Sequence, residues 1–149
     1  MRIPVSSPYL DDEDKKSVLE ALNSSEISGT SGKFLKEFEE GFAGYCGAKY
    51  GVAVSNGTKA LHLALATLGI KAGDEVLVST FTNMATFFAV LYTGAKPIPI
   101  DVEEDTWNLN PALLESKITP KTKAILVVHI YGHPVDMDPV LAIAKRHNL

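Results

Sequence analysis

The sequence predicts an α/β fold in which a parallel sheet is flanked by helices, and three observations lead to it. From residue 50 onward, strand-like and helix-like runs alternate. The strands fall at about 50–54, 74–79, 96–101 and 123–129, the helices at about 58–68, 82–93, 110–117 and 136–147. Four such alternations define a parallel sheet covered by helices. The run KAILVVH at 123–129 is continuously apolar, the pattern of a strand covered on both faces. The helix signals also stand where the alternation needs them: Gly69 and Gly94 stop two helices, and Asn110-Pro111 sets a cap before a proline at the first helical position. Crossovers in such a sheet are right-handed.

Ahead of the alternation, residues 3–9 read as an extended, proline-punctuated arm. A helix follows over 11–22, opened by acidic residues, with Val18, Leu19 and Leu22 on one side. Residues 23–32, NSSEISGTSG, form a polar loop. Ser31 is expected to cap the next helix, where Phe34, Leu35, Phe38 and Phe42 recur at helical spacing and read as core. Residues 50–69, YGVAVSNGTKALHLALATLG, then organise the rest: a short buried strand at 51–54, a tight polar turn at 55–58, and a helix to Leu68 so apolar all round that it is expected to be buried.

That turn admits two readings. Ser55 and Asn56 cap the helix. Alternatively, the start of the helix binds an anion. Its first N–H groups are unpaired and carry partial positive charge, Gly57 permits close approach of a ligand, and Ser55 and Thr58 add hydroxyls. The dipole contributes about 0.3–1 kcal/mol, whereas each hydrogen bond to a charged group contributes roughly 1.5–3 kcal/mol. In open α/β sheets ligands gather beyond the carboxyl ends of the strands. That rule points to residues 55–58, 79–83, 101 onward and 129–132.

Composition narrows the function classes. With 149 residues, 46% hydrophobic and 21% charged, the chain is one domain or part of one. A net charge of −4 with no basic block argues against nucleic acid. Cys46 is the single cysteine, which excludes an internal disulfide and fits a reducing, cytoplasmic setting. No apolar run reaches the roughly 18 residues of a membrane span, and MRIPVSSPYL lacks the apolar stretch of a secretory signal. His129 and His133 have no third metal ligand beside them. Lys59 stands in Gly-Thr-Lys, not the Gly-Lys-Thr of a P-loop.

The run SNGTKALHLALATLGIKAGDEVLVSTFTNMATFFAVLYTGAKPIPIDVEEDTWNLNP, followed by ITPKTKAILVVHIYGHPVDMD, resembles the DegT/StrS-type nucleotide-sugar aminotransferases, and within them the perosamine-synthase-like members. The resemblance covers essentially the whole chain, with several blocks in order. It implies the aspartate-aminotransferase fold (PLP fold type I), here the N-terminal part of the large domain over residues 31–149, after an arm, helix and loop at 1–30. The sheet is then expected to be incomplete at its C-terminal side.

The cofactor implied is pyridoxal 5′-phosphate (PLP). The resemblance places its phosphate on the turn at Asn56, Gly57 and Thr58, and sets His129 at the strand end below it. It puts Lys59 beside the anion as support. At Asn83 the family often carries an aromatic residue stacked on the pyridine ring, which asparagine cannot match; Phe81 and Phe87 are nearby. The loop 28–32 corresponds to a region near the active site and dimer interface. The acidic residue that pairs with the pyridine nitrogen and the lysine that carries the cofactor lie beyond residue 149 in the family, so no catalytic residue is expected in this chain. The implied partners are a nucleotide-linked keto-sugar, an amino-acid donor such as glutamate, and a second copy in a homodimer. Two other readings stand beside this one: a non-catalytic remnant or half of a split enzyme that binds a phosphate-bearing ligand, and an unrelated doubly wound nucleotide-binding domain.

Overall fold

The computed structural model describes residue 4 and residues 6–149. The expected arm at 3–9 therefore begins partly outside the described residues. The chain divides into two units, Met1–Ala53 and residues 54–149, and each is built separately.

The first unit holds helices α1 (Asp12–Asn23) and α2 (Lys33–Tyr45). Asp11 starts α1 through a capping box: its carboxylate accepts the N–H groups of Glu13 and Asp14, and Asp14 accepts the N–H of Asp11. Helix α2 departs from expectation at its start. Gly32, not Ser31, is the cap, and no side chain bonds the first turn. Glu26 instead reaches across the loop, accepting the N–H of Lys33 at 3.0 Å. The aromatic stripe of α2 is not core within this unit. Phe38 and Phe42 are more than half exposed and stack on each other at 5.8 Å, and Ala43 is the one buried residue of the helix. Two helices alone offer too little opposing apolar surface to enclose such a stripe.

The expected strand at 51–54 does not form. Val52 is 72% exposed, and no described strand pairs with the segment. An isolated strand leaves its ladder groups unpaired, so it takes what partner it finds. Here the N–H of Ala53 donates to the carboxylate of Glu39 at 2.8 Å.

The second unit contains α3 (Gly57–Thr67), β1 (Glu75–Ser79), α4 (Met84–Tyr92), β2 (Lys96–Ile100), β3 (Thr122–Leu126) and α5 (Met137–His147). The three strands are parallel in the order β2-β1-β3. Strand β1 is central, and its side chains alternate between two cores. Val76 and Val78 join Leu65, Ile70, Ala89 and Val90 on the face covered by α3 and α4. Leu77 joins Ile100, Leu109, Leu114, Val140 and Ile143 on the face covered by α5. Along β3 and the residue after it, Ala124 and Leu126 pack against the first core while Ile125 and Val127 pack against the second, so the apolar run is covered on both faces as expected. These residues remain only half-buried because β3 is an edge strand.

The sequence KPIPI makes β2 an edge strand by construction. The N–H of Lys96 donates to Asp74 on the β1 side, so the alternate positions, Pro97 and Pro99, fall on the outer edge. Proline has no N–H to offer there, and the edge cannot template another strand efficiently.

Two further expectations are corrected. Helix α3 is not buried all round: Leu61 and Leu65 face the core, whereas Leu63 is 43% and Leu68 73% exposed. A helix on the outside of a sheet has only one inner face. The helix expected at 110–117 is two 3-10 turns, Pro111–Leu113 and Glu115–Lys117. Leu109, Pro111 and Leu114 are all buried, and seating them against the sheet breaks the path after each turn.

Glu115 ties this segment to the end of α5, accepting from His147 Nε2 at 2.6 Å and lying 3.4 Å from Arg146. The hydrogen bond from His147, aided by the charge of Arg146, holds the Glu115 carboxyl below the usual carboxylate range. A lowered carboxylate contributes stability that is present above its unfolded pKa and lost as pH falls through its folded value. The stability difference between wild type and Glu115→Gln is therefore expected to be largest near neutrality and to shrink on acidification, as measured by urea midpoints across acid pH.

Candidate functional site

Every residue singled out for a cofactor lies in the second unit. Asn56 is the N-cap of α3, and its side-chain oxygen accepts the N–H of Lys59 at 3.0 Å. The capping reading of the turn is thus realised by Asn56. That bond leaves the first two amides of the helix, those of Gly57 and Thr58, without an acceptor among the described residues, and the Thr58 hydroxyl likewise. A β-carbon placed on Gly57 would meet nothing within 4 Å, so the backbone there is open to close approach. Lys59 turns aside, with its ammonium 5.5 Å from the ring centre of Tyr92 on α4.

The remaining candidates stand past the carboxyl ends of the strands. Asn83 caps α4, accepting the N–H of Ala85 at 2.9 Å, and is exposed. Asp101 follows β2; it accepts the N–H of Val102 at 2.9 Å and lies 3.4 Å from the Thr80 hydroxyl past β1. His129 is exposed past β3, and its Nδ1 accepts the N–H of Val135 at 3.0 Å.

Three aromatic rings gather at this end of the sheet, one from each post-strand loop. Phe81 lies 5.5 Å from Trp107 and 6.4 Å from Tyr131, centre to centre. Phe87, by contrast, packs against the inner core and is withdrawn from the site. Trp107 and Tyr131 both hold left-handed backbone, with φ of 59° and 49°. Bulky residues rarely adopt that region, and doing so costs of order 1–3 kcal/mol.

The structure thus joins the loops after β1, β2 and β3 through Thr80–Asp101 and the Phe81 ring pairs. The start of α3 is linked to α4, through Lys59 and through His62 on Tyr92, and no hydrogen bond among the described residues joins Gly57 or Thr58 to Asn83 or His129. Sequence reasoning missed Trp107 and Asn108. Asn108 is 2% exposed and bonds residues 22 to 26 positions away, a pairing that no local pattern announces.

A phosphate-ended coenzyme fits what is present at α3. Two free amides, a hydroxyl and an open glycine match the donors that a phosphate dianion requires. Among the described residues no helix is long and apolar enough to cross a membrane.

The three-layer arrangement around a three-stranded parallel sheet is consistent with a fragment of the fold of the PLP-dependent aminotransferases. An aminotransferase from Psychrobacter cryohalolentis superposes with a TM-score of 0.90 at 39% identity, over 98% of this chain and 37% of that one. Bacillus subtilis NtdA with bound cofactor PMP superposes with a TM-score of 0.86 at 35% identity, over 99% and 36%. The chain belongs to the DegT/DnrJ/EryC1/StrS aminotransferase family, which it matches over residues 8–149. It is 50% identical over 148 residues to the GDP-perosamine synthase of Caulobacter vibrioides, covering 99% of this chain and 40% of that protein. The chain thus spans about two-fifths of the length of such relatives.

Proposed function

We propose that this chain supplies the coenzyme-phosphate part of a PLP-dependent aminotransferase. That enzyme moves an amino group, with glutamate as donor, onto the keto group of a nucleotide-linked deoxysugar. The observation that carries the reading is the 50% identity to a GDP-perosamine synthase across nearly the whole chain. The open amides at α3 support its cofactor half.

Gly57 and Thr58 would hold the phosphate, with Asn56 fixing the helix start that presents them. His129 would lie beneath the coenzyme, and Asn83 would stand where the family often stacks an aromatic ring. Bound PLP supplies an electron sink for amino-group transfer. The lysine that carries it, and the acid that pairs with its ring nitrogen, belong to the part of the relatives that this chain does not span. The lysines of this chain are all exposed, so none sits in the enclosed site that a carbonyl-bonding lysine occupies. By itself the chain would then be inactive. The same observation also supports a second reading, a phosphate-ligand binder without turnover. The complete enzyme would work as a homodimer.

A chimera tests the proposal. These residues replace the matching N-terminal 40% of the C. vibrioides synthase. The chimera is expected to turn yellow with PLP, to transfer an amino group from glutamate, and to be trapped by borohydride on a lysine of the synthase portion. Trapping on Lys59, or a folded chimera that binds PLP without transfer, would overturn the aminotransferase reading.

A further inference from the structure

The loop after β3 is held in place by one side chain from the loop after β2. Asn108 is buried and uses both ends of its amide. Its Oδ1 accepts the N–H of Ile130 at 3.2 Å. Its Nδ2 donates to the carbonyls of His133 and Pro134 at 3.2 and 3.3 Å. The asparagine is itself seated in a tight reversal: its carbonyl accepts the N–H of Glu103 at 2.9 Å, its N–H meets the Thr106 hydroxyl at 3.2 Å, and Val102 bridges Leu109 in antiparallel fashion. The segment 129–135 closes on itself around this amide, and Val135, 4% exposed, donates to His129 Nδ1.

The consequence is chemical. A backbone N–H can only donate, so Nδ1 of His129 must be the lone-pair nitrogen and Nε2 must carry the proton of the neutral ring. Beside the Phe81–Tyr131 ring pair and the burial of Val135 in the second core, the Asn108 amide supplies the side-chain hydrogen bonds that hold the 130–134 backbone where Val135 meets that nitrogen, among the described residues. The left-handed residues Trp107 and Tyr131 each adjoin a clamp residue, Asn108 and Ile130, so the strained backbone lies where the hydrogen bonds converge.

We propose that Asn108 is a positioning residue that, by clamping the 130–134 backbone, fixes His129 as the Nε2–H tautomer. The imidazole then presents a single, oriented N–H donor beyond the sheet. That this donor serves a coenzyme rests on the function proposed above; the clamp itself does not.

The test uses the 149-residue chain without coenzyme, so its failure and the failure of the cofactor reading are distinguishable. Nitrogen-15 NMR above the usual histidine range is expected to show His129 of the wild type with a hydrogen-bonded, unprotonated Nδ1. In Asn108→Ala, the Val135 amide is expected to exchange about tenfold faster or more, as loss of its support loosens that bond. The His129 ring is expected to lose its fixed tautomer, while the amides of Val76, Leu77 and Val78 keep their protection. Asn108→Asp is the second variant: it keeps the acceptor for Ile130 but has no N–H for the two carbonyls, and the same changes are expected. The proposal is overturned by a wild-type His129 protonated at Nδ1. It is equally overturned by variants in which Val135 and His129 are unmoved, or in which the β1 amides lose protection in step with Val135.

Discussion

Truncating Leu77 to alanine is expected to destabilise the second unit by about 2–5 kcal/mol, the range for deleting a fully enclosed leucine. Leu77 has no exposed surface and lies at the centre of β1, between β2 and β3, against Leu109, Leu114, Val140 and Ile143. Backbone pairing on both sides prevents the strand from collapsing into the hole. A domain of this size has only about 5–15 kcal/mol in total, so one substitution removes a large share. Leu63→Ala on the outer side of α3 is the control: the residue is 43% exposed, and a change of about 0.5 kcal/mol or less is expected. Urea midpoints of the two variants are the measurement, and equal shifts would contradict the layered core.

Gly57→Ala is expected to separate folding from coenzyme binding. A methyl at Gly57 meets nothing within 4 Å, and alanine is the better helix residue by about 0.8–1.0 kcal/mol. Stability should hold or rise. If a phosphate sits against that backbone, the same methyl stands in its way, and in the chimera PLP should bind at least about tenfold more weakly. Thr58→Val removes the hydroxyl at nearly constant shape. Loss of a hydrogen bond to a charged group is worth roughly 1.5–3 kcal/mol, or about tenfold to a hundredfold in affinity. Fluorescence titration of both variants reads the effect; unchanged affinity in both would place the phosphate elsewhere.

The parts of the fold legible in the sequence were those fixed by short-range chemistry. Asn56 and Asn110 each cap the turn that follows with their own side chain. Gly69 and Gly94 take the left-handed turns that end α3 and α4. Strands β1 and β2 fall within a residue of expectation because β-type residues and turn signals bracket them. What depended on distant partners was not legible. The segment 51–54 has strand composition, yet without a neighbouring strand composition makes no ladder. Residues 110–117 carry a good helix start, but the need to seat Leu109, Pro111 and Leu114 overrides it. At the candidate site, the helix start at Asn56, Gly57 and Thr58 was readable because a cap and a following apolar run announce it. Asn108 was not, since its three partners lie past the next strand, and neither were the left-handed turns at Trp107 and Tyr131 that accompany it.

In the function proposed above, the first amides of α3 grip the phosphate of PLP. A crystal structure of the chimera grown with PLP tests it most directly. Phosphate oxygens are expected about 2.7–3.2 Å from the Gly57 and Thr58 nitrogens, with the Thr58 hydroxyl as a further donor. A coenzyme whose phosphate is bound by other residues, leaving those two amides to solvent, would contradict it.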